Sequence, residues 1–321
     1  MHDVVIVGAG PVGATLALAL AGNDLDVVAI DGRPPGVTLR QDRSLALSWG
    51  SRLTLERLGV WAELESTAGA ATPIVEIDVS QAGGFGAAVL TAAMQSLPAL
   101  GYVVSYVALQ RALDAALARA DVPVRFGTTA SRVRGMPPHA EVIVADAGAP
   151  LHARLAVVAD GAGTAVDGID RERHDYGQVA LVGEVVLDPP RRGVAYERFT
   201  PDGPVALLPE RDHHGLVWTL TPAIAEAMLA LPEPAFLDGL ARHFGTRVTG
   251  FAHAAGRRAF PLVLERARPV VTAHAAVIGN AAQQLHPVAG QGFNLGLRDA
   301  WELAQAILGA RRDAIGGGDR T

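Results

Sequence analysis

Asp3-Val4-Val5-Ile6-Val7-Gly8-Ala9-Gly10-Pro11-Val12-Gly13, with the apolar run Ala14 to Ala21 and the segment Asp26 to Asp31 behind it, decides the fold. Asp3 to Val7 has the length and apolar content of a buried strand, and Gly8, Gly10 and Gly13 make a GxGxxG loop that opens a helix. A second strand, Asp26 to Ile30, ends at Asp31. In such a βαβ unit the first glycine allows a tight turn and the second lets a pyrophosphate approach the backbone. The third lets the helix close on the strand. Asp31 is placed to accept hydrogen bonds from an adenosine ribose. A lone GxGxxG is a weak signal. Strand, helix and acid together make it specific, and a glycine-rich turn of some other α/β protein is the lesser alternative.

The chain returns to the same theme near its other end. Ala275 to Ile278 is apolar and runs into Gly279-Asn280-Ala281-Ala282-Gln283-Gln284-Leu285-His286-Pro287-Val288-Ala289-Gly290-Gln291-Gly292-Phe293-Asn294-Leu295-Gly296. An amphipathic helix begins near Asn294 and runs through Leu297, Ala300, Trp301, Ala304 and Ile307. Gly290 and Gly292 would let a flat ligand lie against the backbone. The helix behind them directs its N–H groups and positive dipole end at that ligand, which suits a planar ring that becomes anionic, such as a reduced flavin. Between the two ends, the strand Leu155 to Ala159 runs into the turn Asp160-Gly161-Ala162-Gly163-Thr164.

With these three motifs in this order the chain resembles the class A flavin-dependent aromatic monooxygenases, and among them the ubiquinone-biosynthesis hydroxylases. Asp42-Arg43-Ser44-Leu45-Ala46-Leu47, Glu197-Arg198-Phe199-Thr200, Gly203-Pro204 and Leu207-Leu208-Pro209 add to the likeness, which covers essentially the whole chain. The resemblance implies an α/β protein of the p-hydroxybenzoate hydroxylase type. Such a protein has a Rossmann-type FAD-binding domain and an interleaved substrate domain built on an antiparallel sheet. It also implies FAD as cofactor, NADH or NADPH as electron donor, and O2 as co-substrate. The expected activity is hydroxylation of a polyprenylated phenol in ubiquinone biosynthesis through a flavin C4a-hydroperoxide. The alternatives are a hydroxylase of a soluble aromatic, or an FAD-binding structural subunit of a quinone-biosynthesis assembly.

The resemblance assigns roles. Gly290, Gln291 and Gly292 offer backbone N–H groups to the N1–C2=O edge of the ring, with Asn294 beside them. Pro287 shapes the turn, and Asn280 bonds the ribitol. Asp160 and Gly161 lie near the phosphate and ribitol, with a part in NAD(P)H handling. Arg43 and Arg111 either approach the diphosphate or ribitol or are surface arginines. His286 either steers the phenolic proton or is a structural hydrogen-bond partner, and no residue declares itself as the acid or base. Three departures stand out. Asn280 replaces the aspartate of the broader family, as in ubiquinone-type members. Thr164 stands where serine is usual, and Asp167 where many members have arginine. The family also continues beyond the helix that follows Gly296. A truncated form or a short natural one would leave the substrate pocket open and release peroxide.

Composition excludes other classes. The 321 residues are 50% hydrophobic, enough for one large or two intimately packed domains. A formal net charge of -6 without a basic cluster argues against nucleic acid, and Arg191-Arg192 and Arg257-Arg258 read as solvated pairs. There is no cysteine, so disulfides, thiolate catalysis and iron–sulfur ligation are excluded. The ten histidines show no metal-binding spacing, and His213-His214 reads as part of a turn. The N-terminal apolar run lacks a basic flank and is cut by glycines, so it reads as mature structure and not as a secretion signal. No segment reaches the length of a membrane span. The expectation is a cytoplasmic protein, soluble or peripheral to the inner membrane, with other quinone-biosynthesis proteins as partners.

The expected cofactor domain is discontinuous, over 1–70, 107–175 and 266–315, with the substrate domain over 71–106 and 176–265 and a flexible tail at 316–321. Ser44 to Trp61 reads as helical, as does Leu109 to Ala120. Strands are expected near Val122 to Phe126, Ala130 to Val133, Glu141 to Val144, Gln178 to Leu187, Val194 to Phe199, Val205 to Leu208 and Leu216 to Leu220. Helices follow near Ala223 to Ala230 and Pro234 to Phe244. A second nucleotide-binding GxGxxG is absent, so NAD(P)H is expected to dock transiently.

Overall fold

The computed structural model describes residues 1–36, 42–84, 86–145, 148–161, 163–286 and 290–318. His2–Val7 is the central strand of a nine-stranded sheet, parallel to Val27–Asp31 on one side and to Leu151–Val158 on the other. Ala275–Val277 joins beside Leu151–Val158, again parallel. A parallel sheet is covered on both faces, which is why these strands read as unbroken apolar runs. The period of two decides the faces: Val4 and Ile6 pack with the helices Pro11–Leu20 and Tyr106–Arg119, whereas Val5 and Val7 pack with Val158, Ala275 and Val277. Val5 and Ile6 are fully buried; each such side chain contributes about 1.5–3 kcal/mol.

A second sheet of eight strands runs in the order Gln283–Gln284, Phe251–Arg268, Asp170–Leu187, His213–Leu220, Gly203–Glu210, Val194–Thr200, Glu76–Gln81, Ala87–Thr91. It is antiparallel throughout except where Val194–Thr200 pairs with Glu76–Gln81. The helices Pro222–Ala230 and Glu233–Phe244 cover one of its faces, with Phe236, Leu240 and Phe244 against Leu181, Leu207 and Trp218. A third sheet, Ser44–Ser48, Gly101–Ser105, Ala71–Ile74, joins the other two.

Several expectations are corrected. Ser44–Ser48 is a strand and not the start of a helix: it pairs antiparallel with Gly101–Ser105. The Ser48 hydroxyl then accepts from the Ser51 N–H and caps the helix Trp49–Arg57, and a separate helix, Trp61–Ser66, follows. Phe251–Arg268, unforeseen, is an 18-residue strand that matches the 18 residues of Asp170–Leu187. His213 and His214 open a strand; the turn lies at Arg211, with φ +47°. Arg257 is not simply solvated, because it donates to the Leu231 carbonyl and lies over the Phe236 ring. The boundaries expected at 175/176 and 265/266 fall inside the two long strands. The last helix, Gln291–Gly318, begins before Asn294 and runs into the segment expected as a tail. Pro287 and residues 319–321 lie outside the described residues. Among the described residues no helix is long and apolar enough to cross a membrane.

Candidate functional site

The loops leaving His2–Val7, Val27–Asp31 and Leu151–Val158 line a cleft of about 390 Å3 together with Arg43, Asn280, Gly292 and Phe293. This is the crevice at the carboxyl ends of the strands, where open α/β sheets place their ligands. Three glycines serve it for three reasons. A Cβ on Gly13 would stand 1.9 Å from the Gly8 carbonyl oxygen, so this glycine seats the helix against the strand. Gly8, at φ +99°, would press a Cβ to 2.7 Å from Asp160 Cα, so it lets two loops touch. A Cβ on Gly10 would meet nothing within 4 Å. That glycine keeps the cleft open where the helix Pro11–Leu20 begins without a side-chain cap. Free N–H groups at a helix start and an open backbone are what a pyrophosphate requires.

Asp31 lines the cleft, is buried, and is already engaged. Its Oδ2 accepts from the Ala9 N–H at 2.7 Å, and its Oδ1 accepts from Arg33 N at 2.8 Å and Arg33 Nε at 3.1 Å. A carboxylate offers about four acceptor positions, which leaves room for a ribose hydroxyl. Arg33, Gln110 and Asp114 were not foreseen. Arg33 Nη2 and Gln110 Nε2 both donate to the Ala9 carbonyl, and both residues also donate to Asp114. Burial works against the Arg33 charge, but the hydrogen bond to Asp114 and the fields of Asp31 and Asp114 outweigh it and hold the guanidinium above its ordinary range. The loop is therefore braced before any ligand arrives. Asp31→Ala is expected to weaken flavin binding by about 1.5–3 kcal/mol, roughly ten- to a hundredfold. It should also lower the melting temperature of the flavin-free protein, because the Ala9 N–H and Arg33 lose their acceptor. Flavin titration and calorimetry of the apoprotein read the two effects separately.

Asp160 accepts from both the N–H and the hydroxyl of buried Thr164, at 2.9 and 2.7 Å. The threonine thus does the work a serine hydroxyl would do. Gly161, at φ +97°, faces open space in the cleft. Asp167 pairs with Arg132 on the surface. Arg43 reaches the cleft with its guanidinium over the Tyr106 ring at 4.5 Å. Arg111 lies exposed on Tyr106–Arg119 and is not among the residues lining the cleft.

At the far end, Gly279 and Gly296 let the last helix close on Val12: a Cβ would come to 3.1 Å and 2.9 Å, respectively, from Val12 methyl carbons. Exposed Asn280, in the turn Gly279–Ala281, and Gly292 line the cleft, while Gln291 is exposed at the helix start. Gly290, at φ +60°, would place a Cβ 3.1 Å from Ala46 Cβ. The expectation for Asn294 is revised. Its Oδ1 accepts from Ser48 N and Ser51 Oγ, and its Nδ2 donates to the Ala46 and Gly290 carbonyls. All four capacities of the amide are used, so Asn294 ties the glycine loop to Ser44–Ser48 and has none left for a ligand.

His286 is not among the residues lining the cleft; its ring meets the Tyr176 ring edge-on at 5.3 Å. Its buried Nδ1 has no partner among the described residues, and burial lowers its pKa, so the ring is neutral at pH 7. Glu197 was seen in the sequence only as a motif letter. Among the described residues it forms no hydrogen bond or ion pair, and burial pushes its carboxyl up to about 7. The folded chain holds that proton to about pH 7 where an unfolded one releases it near 4.5. The cost of ionisation therefore grows as pH rises through that window and is fully present above it. Glu197→Gln should stabilise the protein at pH 8 by up to about 3 kcal/mol and leave it unchanged at pH 4, as thermal melts at the two pH values would show.

The comparisons with known proteins agree with this geometry. The FAD binding domain family matches residues 1–315. Ubiquinone hydroxylase UbiL of Rhodospirillum rubrum is 35% identical over 319 residues, covering 97% of this chain and 73% of that protein. The 3-demethoxyubiquinol 3-hydroxylase of Escherichia coli is 32% identical over 318 residues, covering 96% of this chain and 80% of the other. The structure of P. aeruginosa PqsL in complex with 2-aminobenzoylacetate superposes with a TM-score of 0.77 at 22% identity, over 98% of this chain and 88% of that one, a likeness of fold. A braced dinucleotide cleft at the head of a parallel sheet, a match to the FAD binding domain over 1–315 and a 35% identical relative lead to one conclusion: the chain belongs to the FAD-binding, class A flavin-dependent monooxygenases, in their ubiquinone-hydroxylase branch.

Proposed function

We propose that this protein uses FAD and NAD(P)H to hydroxylate a polyprenylated phenol in ubiquinone biosynthesis. The observation that carries the reading is the cleft itself, where the loops of the two chain ends and the Asp160 turn meet around open glycine backbone. That donor set fits FAD. Asp31 takes the ribose, Gly10 and the start of Pro11–Leu20 take the pyrophosphate, and Arg43, Asp160, Gly161 and Asn280 take the phosphate and ribitol. Gly290, Gln291 and Gly292 hold the ring's N1–C2=O edge at a helix start, where dipole and N–H groups favour negative charge. The parallel sheet serves the cofactor and the eight-stranded sheet the substrate. When bound, the flavin supplies oxygen activation; the chain's own residues orient the substrate and keep water away. No proton transfer is assigned to His286. The purified protein should be yellow, and NAD(P)H oxidation should rise when a prenylphenol is added, with hydroxylated product by mass spectrometry. A colourless protein that cannot be reconstituted with FAD would refute this.

Gly292→Leu tests the ring end alone. A Cβ there meets only Leu285 Cβ, at 4.0 Å, so the side chain is accommodated but displaces the ring from the helix start. Because Gly8 to Gly13 and Asp31 still hold the adenine end, some FAD should remain, while the reduction potential falls and NAD(P)H-driven reduction slows by more than affinity declines. Wild-type potential and reduction rate would remove the loop from the ring.

A further inference from the structure

Glu197 sits on Val194–Thr200, inside the eight-stranded sheet. Val194 and Tyr196 turn toward the two covering helices and pack with Val205 and Leu207. Side chains alternate along a strand, so Ala195, Glu197 and Phe199 take the opposite face. On that face Glu197 lies opposite Val79 on one side and Ala206 on the other. Its neighbour Ala195 packs against Ile74 and Val103 of the three-stranded sheet. Val103 pairs with Ala46, the residue that touches the glycine loop at Gly290. Glu197 is one strand repeat, about 7 Å, from Ala195 and its contact with Ile74 and Val103.

The surroundings offer nothing to pair with. The groups facing Glu197 are Ala195 and Phe199 on its own strand, Ile77, Val79 and Gln81 on Glu76–Gln81, Pro204, Ala206 and Leu208 on Gly203–Glu210, and Ile74 and Val103 above; none is titratable. The ionisable groups further along this face are Glu210, on the adjacent strand two alternations beyond Ala206 and paired with His213, and Glu184 and Arg258, three and four strands away. Phe199 is 41% exposed and Phe260, further along the same face, 50%. A half-buried carboxyl in an apolar wall, with no protein partner among the described residues, loses part of its hydration, which pushes its pKa up, and such groups concentrate where ligands are handled.

We propose that the Glu197 carboxyl receives the phenolic hydroxyl of the substrate and orients its ring toward the glycine loop. The inference rests on the hydroxylase reading above. It makes Glu197 the residue that distinguishes a free phenol from its ether, since only the phenol has an O–H to donate to the carboxylate. It also explains why no histidine or tyrosine is needed at that point of the wall.

The test uses the FAD-loaded protein and two probes, a dimethylallyl-substituted phenol and its methyl ether, with binding read from perturbation of the flavin absorption spectrum. At pH 8 the wild type should bind the phenol roughly tenfold more tightly than the ether, the worth of one charge-assisted hydrogen bond. That preference should fade as pH drops through about 7. In Glu197→Gln the preference should shrink to about threefold or less and the pH step should vanish, with flavin content and ether binding unchanged. Glu197→Asp should keep the pH step with a weaker preference. A Glu197→Gln variant that keeps preference and step would overturn the proposal, and so would a wild type that does not distinguish the probes. If the wild type perturbs with neither probe and forms no hydroxylated product, the hydroxylase reading falls as well. Hydroxylation by the wild type alongside an unaffected Glu197→Gln rejects only the role given to Glu197.

Discussion

Gly10→Val is expected to fold normally and to emerge from purification colourless. Gly10 has φ −64° and ψ 178°, a conformation that a β-branched residue adopts readily. Its Cβ direction meets no protein atom within 4 Å, so the fold has no reason to resist. The branched side chain fills the space in front of the helix Pro11–Leu20 that a pyrophosphate must enter. Loss of those contacts should cost at least about 4 kcal/mol of FAD affinity, roughly a thousandfold. The flavin-to-protein ratio after dialysis measures the loss, and the melting temperature of the apoprotein should stay near the wild-type value. Normal flavin stoichiometry would move the dinucleotide elsewhere.

Gly13→Ala, three residues along, should do the reverse and damage the fold itself. Its Cβ would lie 1.9 Å from the Gly8 carbonyl oxygen and 3.3 Å from the buried Ile6 side chain. Neither a backbone carbonyl nor a fully buried isoleucine yields cheaply, so helix and strand must separate. Overpacking of this severity costs about 3 kcal/mol or more, a large part of the 5–15 kcal/mol typical of a whole domain. The melting temperature should fall by roughly 10 °C. A wild-type thermal transition would mean that the helix does not rest on the Gly8 loop.

The contrast between these two glycines marks how far the sequence could be read. The βαβ unit was legible because its spacing is local: strand, glycines, helix and Asp31 follow one another within a few turns of chain. The run from Ala275 into a last helix was legible for the same reason, although that helix begins at Gln291 and not near Asn294. Asn294 was misjudged because its partners Ala46, Ser48 and Ser51 lie some 250 residues upstream, where no spacing rule reaches. Arg33, Gln110 and Asp114 escaped for that reason too, being joined only through the Ala9 carbonyl and one carboxylate. Phe251–Arg268 was missed because Arg257, Arg258 and Pro261 interrupt its alternation; it is a strand because neighbours on both sides supply the pairing. Glu197 was only a letter of a motif, and the register alone showed that its wall is apolar.

The seam at Val12, Gly279 and Gly296 has a consequence for how the protein is made. The first helix of the dinucleotide unit leaves the ribosome long before Asn280, Gly292 and Phe293, which line the cleft with it and emerge only after the long strand Phe251–Arg268. Until then the cleft lacks Asn280, Gly292 and Phe293, and the central parallel sheet lacks Ala275–Val277. Contacts of such long sequence separation form slowly. With FAD placed as proposed, its capture is a late event in biogenesis, and a chain stalled before Asn280 would present Gly8 to Gly13 and Asp31 without Asn280, Gly292 and Phe293.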